Sequence, residues 1–270
     1  MLLSGASGGL GQALVYLLLE CKVRALYLTA RNQKILAELA ERAQQQGVLC
    51  RTQNADLCSP QGQELYLAFL QEAAEQGVEH FILTAGMAPQ RSEDREESLE
   101  AIERTLTVNC TMQLKSLYLL LGLQHTKAPA EHHNSSAIPG AVRSIALVSS
   151  QSALYPIPSL PVYGAGKAAL SYAVQALTDE CAACGLKLTL IEPGFFSSPM
   201  GERFVGRKWF VLSPQAVAER ILKAMAAGRR RAVFPSALAL GIRLLYLLPR
   251  PIGRAALKFF AFDTAADPRK

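Results

Sequence analysis

The sequence predicts a doubly wound α/β domain on a mostly parallel, seven-stranded sheet. Short apolar runs of strand composition, such as Ala25 to Thr29, Phe81 to Leu83, Arg143 to Val148 and Leu186 to Glu192, alternate with longer runs at helical spacing. A glycine-rich turn, Ser4-Gly5-Ala6-Ser7-Gly8-Gly9-Leu10-Gly11, follows the first apolar run and opens a helical one. A polar stretch beginning at Ser149 stands just past the fifth strand, where open α/β sheets place their ligands.

Met1 to Leu3 is a minimal first strand, and the helix after the turn takes Gln12 to Glu20. Glycines at Gly5, Gly9 and Gly11 let the backbone approach a pyrophosphate, and the helix amino end supplies N–H groups and partial positive charge. Alone, the turn reads equally as a tight βα connection. The second strand ends at Ala30-Arg31. A carboxylate there would bond the ribose 2′-hydroxyl of NAD, whereas an arginine accommodates a 2′-phosphate, so Arg31 favours NADP(H) over NAD(H). Asn32 to Gln46 is an amphipathic helix with Ile35, Leu36 and Leu39 on one side, and Val48 to Gln53 is the third strand. Asp56 follows, placed also to cap a helix at Pro60. The fourth strand leads into Thr84-Ala85-Gly86, and an acid-rich stretch, Arg91 to Glu100, leads into a long helix, Leu99 to Leu123. Within that helix Asn109 stands in an apolar run of Leu106, Val108, Met112, Leu114 and Leu117, where a buried amide must find partners.

The centre of the chain is Ser150, then Tyr163 thirteen residues on, then Lys167 four further. With a helix from Val162, Tyr163 and Lys167 share one face at i and i+4. An isolated pair of this kind is common on helix surfaces. Between Ser150 and Tyr163 the apolar segment Ala153 to Pro161 carries three prolines and cannot extend a helix or a central strand. Pro193 to Gly206 is a glycine-containing loop, Ser213-Pro214 caps a helix to Ala227, and Arg231 to Phe234 is the seventh strand. There is no internal repeat.

In this order and at these spacings the chain closely resembles the short-chain dehydrogenase/reductase family. The residues that carry the resemblance are the glycine turn, Thr84-Ala85-Gly86, Asn109, Ser150, Tyr163, Lys167 and Pro193-Gly194, over roughly residues 1 to 234. It implies a single Rossmann-type domain with strand order 3-2-1-4-5-6-7. It implies Tyr163 as general acid, or base in oxidation, Ser150 on the substrate oxygen, and Lys167 on the ribose hydroxyls. Asn109 would bend its helix and hold a water behind the lysine. Ser7 and Leu10 in the turn, Asp56 and Leu57 at the adenine, Ala85 and Gly86, and Pro193, Phe196 and Ser198 over the nicotinamide complete the implied cofactor contacts. The family commonly pairs through its long helices into homo-oligomers. Two departures matter: the family's two asparagines before Ala85-Gly86 are absent, removing a side-chain tether from this turn, and Phe196 is bulkier than the usual Val or Ile.

Physical chemistry supports the assignment of Lys167. Free tyrosine titrates near 10, and an ammonium one turn away favours the phenolate, bringing the pKa toward the working range. Ser149 is the nearest rival to Ser150, and the thirteen-residue spacing selects Ser150. The expected activity is hydride transfer between NADP(H) and a carbonyl or alcohol. The expected substrate is lipophilic, because Leu154, Tyr155, Ile157, Leu160, Phe195 and Phe196 flank the catalytic residues. Two other classes compete: an NADP-binding regulatory or scaffold protein without turnover, against which the intact Ser150, Tyr163 and Lys167 speak, and a sugar-nucleotide epimerase or dehydratase, against which the chain length and the lack of a carboxylate beside Ser150 speak.

At 270 residues and 50% hydrophobic content the chain can bury a full core as one domain. With the glycine turn at the fourth residue and no charged leader before an apolar stretch, a secretory signal is not expected and a cytoplasmic setting is. Six dispersed cysteines read as thiols, and Cys181 with Cys184 reads as two small residues near a helix end rather than a redox or metal pair. His125, His132 and His133 fall in or beside a solvated loop, 126 to 142. The net charge of +6 is uneven: from Arg203 onward fourteen Lys/Arg face three Asp/Glu, a net +11 against −5 for the rest. Nothing marks a nucleic-acid partner. The last stretch, 235 to 270, reads as an apolar and basic tail, with Ala237 to Leu248 too short to span a bilayer core that needs about twenty residues. Its basic and apolar residues suit either a membrane interface, on the inner face, or a cover for the sheet edge or a second copy.

Overall fold

The sheet grows outward from its shortest strand. In the computed structural model β1 is Leu2–Ser4, and it pairs in parallel with β2 (Ala25–Ala30) on one side and β4 (His80–Leu83) on the other. β3 (Leu49–Asn54) extends the sheet beyond β2, and β5 (Ser144–Val148), β6 (Lys187–Pro193) and β7 (Arg231–Phe234) extend it beyond β4. The order is therefore β3-β2-β1-β4-β5-β6-β7, parallel throughout, as expected. Three residues suffice for β1 because both its neighbours are full ladders and its side chains are buried on both faces. The order reverses between β1 and β4, which opens a crevice at the carboxyl ends of those strands. The structure describes residues 1–88, 98–127, 141–157, 159–202 and 210–249, with 204–206, 208, 251–252 and 262–264 as shorter pieces.

Successive strand residues feed opposite layers. Leu2, Phe81 and Leu83 enter a core with Tyr66 and Leu70 of α3 (Pro60–Glu75), Met112 and Leu117 of α5 (Met112–Lys127), and Leu170 of α6 (Pro161–Ala176). Leu3 and Ile82 enter the other, with Leu14 of α1 (Gly9–Glu20), Leu39 of α2 (Gln33–Gln45) and Ile221 of α9 (Pro214–Ala226). Each fully buried leucine contributes about 1.5–3 kcal/mol, so the two-period pattern of these strands fixes both layers at once.

Local chemistry sets the helix ends. α1 starts at Gly9, three residues before the expected Gln12, because the glycine turn itself supplies the first helical turn. Asn32 caps α2 by accepting from the Ile35 N–H, and Ser213 caps α9 by accepting from Ala216. α3 is capped by Ser59, whose hydroxyl accepts from Gly62, and not by Asp56. The Asp56 carboxylate instead accepts from the Cys58 N–H (3.0 Å), folding a turn three residues too early to cap the helix. The long helix is α4 (Leu99–Leu106) and α5 joined by a wide π-turn, Thr107–Thr111, around Asn109. α7 (Thr178–Ala183) and α8 (Pro199–Glu202) are short.

The tail begins with a second amphipathic element. α10 (Ser236–Leu244) and a 3-10 turn, Leu245–Leu247, follow β7 directly, and Phe204–Gly206 pairs antiparallel with Phe262–Thr264. Arg91 to Glu97, His132, His133, Arg254, Lys258, Phe259 and Phe260 lie outside the described residues. No helix among the described residues is long and apolar enough to cross a membrane. Burial pushes the Cys181 thiol up to about 12 and raises Cys184 as well, so this pair lacks the thiolate that redox exchange requires.

Candidate active site

The glycine turn is close-packed against its surroundings. Gly5 holds φ at +74°, and a Cβ there would meet Thr84 Oγ1 at 2.7 Å and the Ala85 nitrogen at 2.9 Å. A Cβ on Gly11 would lie 2.2 Å from the Gly5 carbonyl, so α1 can rest on the turn only where no side chain intervenes. Ser198 and Pro199 come over Gly9 at 3.3 and 3.6 Å from the same construction, bringing the loop after β6 down onto the turn. At the end of β2, Arg31 is exposed into the same cavity, and Asn54 Nδ2 donates to its carbonyl (2.6 Å). Glycines that clear the floor, a helix amino end and an arginine at the second strand together fit a dinucleotide with a 2′-phosphate.

The third cluster of the site hangs from two opposed hydrogen bonds. Lys167 Nζ donates to the Val148 carbonyl at the end of β5 (2.9 Å), and the Ser149 hydroxyl donates to the Lys167 carbonyl (2.9 Å). Ser149 therefore points back into the protein, in a buried chain with Ser171, Glu192 and Arg231. Ser150, one residue on, faces the other way: its hydroxyl is hydrogen-bonded to that of Tyr163 and accepts from the Ser152 N–H. Of the two serines, Ser150 is the one beside the tyrosine.

Asn109 lies behind the cavity wall rather than in it. Its Oδ1 accepts from the Met87 N–H and its Nδ2 donates to the Met87 carbonyl, both at 2.9 Å, so the wide turn spends this amide on fixing the strand-end backbone. That backbone is Gly86, where a Cβ would come within 3.1 Å of Asn109 Oδ1 and 3.5 Å of Lys167 Nζ. The missing family asparagines do not leave this turn untethered. The Thr84 hydroxyl donates to the Ser4 carbonyl (2.6 Å), and Gln113 Nε2 donates to the Ala85 carbonyl (2.9 Å). A short side chain just past β4 and a long one from α5 take over the role.

The glycine turn, Arg31 and the Ser150, Tyr163 and Lys167 cluster open onto one cavity of about 1640 Å³. Pockets for one drug-sized ligand measure about 300–1,000 Å³, so this space is larger than one such ligand needs. Its walls include Gly5, Ser7, Gly9, Leu10, Gly11, Arg31, Asp56, Leu57, Ala85, Gly86, Pro193, Phe196 and Ser198, with Ser150, Tyr163 and Lys167. Tyr155, Ile157, Leu160 and Phe195 line it as well, while Leu154 does not. Sequence reading placed an apolar element at Ala237 to Leu248 but missed its part in the cavity. Leu238, Gly241, Ile242 and Leu245 line the cavity, a stripe at i, i+3, i+4 and i+7. That stripe was visible in the sequence, but the exposed apolar residues on the other side of the same helix hid it.

The sequence pattern of the short chain dehydrogenase family matches residues 1–208. The chain belongs to the short-chain dehydrogenase family. It is 26% identical over 229 residues to an uncharacterized oxidoreductase of Staphylococcus epidermidis, covering 82% of this chain and 88% of the relative. A short-chain dehydrogenase from Sphingobium yanoikuyae, solved in complex with NADPH, superposes with a TM-score of 0.73 at 22% identity over 100% of this chain and 99% of its own. The bulky-bulky ketone specific alcohol dehydrogenase from Comamonas testosteroni gives 0.69 at 19% identity, over 87% and 85%.

In this short-chain dehydrogenase the electrostatics of the tyrosine differ from the sequence expectation. Burial pushes the Tyr163 phenol above its ordinary value, and the hydrogen bond with Ser150 brings it part of the way back. Lys167 Nζ stands 6.0 Å from the centre of the ring, and burial lowers its own ammonium to about 8. Desolvation acts on both partners, and in this geometry it outweighs the attraction that was to depress the phenol.

Lys167 couples this burial to stability. Below about pH 8 it is charged in both states; between about 8 and 10.5 the unfolded chain keeps a proton that the folded chain has released. Stability from this group therefore rises with pH across that window, by about 3 kcal/mol in full. Tyr163 shifts in the opposite sense, but only above 10. Urea unfolding at pH 7.5 and 9.5 should show the wild type gaining about 2 kcal/mol on Lys167→Met; a constant gap between the two proteins contradicts the lowered ammonium.

Proposed function

We propose that the chain is an NADP(H)-dependent oxidoreductase that interconverts the carbonyl and alcohol of a lipophilic substrate, with Tyr163 as general acid or base. The observation that carries this reading is how charge is distributed in the cavity. Among the described residues lining it, the only charged side chains are Arg31 and Asp56 at the cofactor end and Lys167 beside the tyrosine. Beyond Tyr163 the lining includes Ala88, Ile157, Leu160, Phe195 and Met200, a small apolar cluster separate from the two main cores. A charged metabolite would lose its hydration there and meet no opposite charge among the described residues.

Bound NADPH would supply the hydride. The chain supplies the rest. Tyr163, kept protonated at neutral pH by burial, donates its proton to the carbonyl oxygen, and the Ser150 hydroxyl holds that oxygen as charge develops on it. Lys167 offsets the phenolate that remains. Gly5, Ser7, Gly9, Leu10 and Gly11 would carry the pyrophosphate, Arg31 the 2′-phosphate, and Asp56 with Leu57 the adenine. Asn109 acts by positioning Gly86 and Met87. The hydrogen-bonded Ser150 and Tyr163 pair favours turnover over a scaffold that only binds the nucleotide. The Sphingobium enzyme, solved with NADPH, and the Comamonas enzyme, specific for bulky-bulky ketones, support the same direction.

The reading extends to the surface. Leu240, Leu244, Leu247 and Ile252 are exposed, on the part of the chain that carries the excess of basic residues, which favours peripheral contact with an anionic bilayer. Exposed Tyr118 on α5 and Tyr172 on α6 favour a homo-oligomer through those helices, which sedimentation velocity reads directly. Six free thiols suit a reducing, cytoplasmic setting.

Tyr163→Phe should lower kcat by about 10²–10⁴ while leaving NADPH affinity unchanged, because only the proton donor is removed; turnover above about a tenth of wild type would reassign the acid. Arg31→Ala should weaken NADPH by about ten- to a hundredfold and NADH little, and equal losses would remove the cofactor preference. At low ionic strength the full chain should sediment with anionic vesicles and remain in the supernatant with neutral ones; no difference between the two sets the bilayer contact aside.

A further inference from the structure

α10 is built as a rigid wall with one deliberate gap. At its start the Gln151 side chain donates to the Pro235 carbonyl (3.0 Å), and Gly194 leaves room for Pro235 and Leu238, from which a Cβ would stand only 3.1 and 3.2 Å away. At its far end the Tyr246 ring packs edge-on against Tyr155, with centroids 4.7 Å apart. The helix is thus braced at both ends onto the segment that follows Ser150. Along the face it turns to the cavity stand Leu238, Gly241, Ile242 and Leu245, about 10 Å of helix at 1.5 Å per residue. Three of the four are large and apolar. The fourth, in the middle, is glycine, a poor helix former.

Backbone geometry does not require that glycine. Gly241 lies inside a regular helix, and a Cβ built on it would meet nothing within 4 Å. This contrasts with Gly5, Gly11 and Gly62, where the same Cβ would strike backbone at 2.1 to 2.9 Å. The absent side chain therefore creates space on the cavity face rather than relieving a clash.

We propose that the α10 face is the distal wall of the substrate site and that Gly241 sets how long an apolar chain the site accepts. The proposal rests on reading the uncharged end of the cavity as the substrate site, and it names the class more closely: carbonyl compounds with an extended alkyl chain that runs from Tyr163 toward α10. Each methylene received there should raise kcat/KM by about fourfold until the chain reaches the wall. A larger residue at 241 shortens the series without touching either the cofactor groove or the catalytic hydroxyls.

The test is a homologous series of straight-chain aldehydes, from butanal to dodecanal, read as NADPH oxidation by the full-length protein. In parallel, thermal stabilisation by straight-chain primary alcohols of the same lengths is read with NADP⁺ present. Gly241→Phe should leave NADPH affinity and the short aldehydes little changed, and lower kcat/KM for the longest by about tenfold or more. Leu240→Phe, which adds the same ring on the exposed face, should behave as wild type. If Gly241→Phe does not fold, Gly241→Leu reads the same truncation. A loss that is uniform along the series, or a wild type with no length dependence in either readout, overturns the proposal. No aldehyde turnover, with alcohol binding still truncated by Gly241→Phe, overturns the reductase reading and keeps the wall; turnover with no truncation does the reverse.

Discussion

Two hydrogen bonds running in opposite senses fasten α6 to the end of β5. Lys167 Nζ reaches the Val148 carbonyl, and the Ser149 hydroxyl reaches the Lys167 carbonyl. Neither alone would fix both the depth and the rotation of the helix. Together they set which of the paired serines faces inward, and thereby bring the hydroxyls of Ser150 and Tyr163 into contact. The clamp is itself anchored. Ser149 and Ser171 meet at 2.8 Å, Ser171 donates to the buried Glu192 (2.9 Å), and Arg231 on β7 neutralises that carboxylate at 2.6–2.7 Å. A buried carboxylate without such a partner is strongly destabilising, so the outermost strand of this half of the sheet and the catalytic helix stand or fall together.

The same clamp organises the far wall. Gln151 follows Ser150 directly and carries the bond to Pro235, so the turn that presents the serine also fixes the start of α10. Gly194, at the end of β6, lies against Pro235, Leu238 and Gln151 at once. The cavity therefore has one mechanical reference, the carboxyl ends of β5 and β6, from which both the Tyr163 hydroxyl and the apolar wall are measured. Its opposite half, the glycine turn, refers to β1 and β4 through the Thr84 hydroxyl on the Ser4 carbonyl. The two references meet at Gly86, closed in by Asn109 on one side and Lys167 on the other.

Much of this was legible in the chain, for physical reasons that also explain what was not. The strands declared themselves by period and composition, and the glycine turn by the only residues that tolerate its close approaches. The Ser150, Tyr163 and Lys167 spacing was readable because a helix face converts i and i+4 into proximity. What escaped depended on partners distant in sequence. Thr84 gives no sign of bonding to Ser4, eighty residues away. Asp56 has a capping side chain, and only the actual start of α3 shows that Ser59 does that work. The electrostatic argument for a depressed tyrosine counted the nearby charge and left out desolvation, which only the packed structure reveals.

α10 escaped for a different reason. A helix that is apolar on one side declares which side is buried; one that carries Leu238, Ile242 and Leu245 on one face and Leu240, Leu244 and Leu247 on the other does not. Read as a stripe against polar residues it has no face, and read as a whole it resembles a tail that needs something outside the domain to cover it. The two faces answer to different demands. On the proposed reading the inner one keeps water from the Tyr163 hydroxyl, since a hydroxyl held in a dry site loses nothing to competing solvent bonds. Among the described residues the outer one has no such partner, and it stands on the part of the chain where positive charge accumulates. On the proposed reading a substrate poorly soluble in water would arrive from an apolar phase, and a wall apolar on both sides would give that phase and the cavity a common boundary, with Gly241 the thinnest point in it.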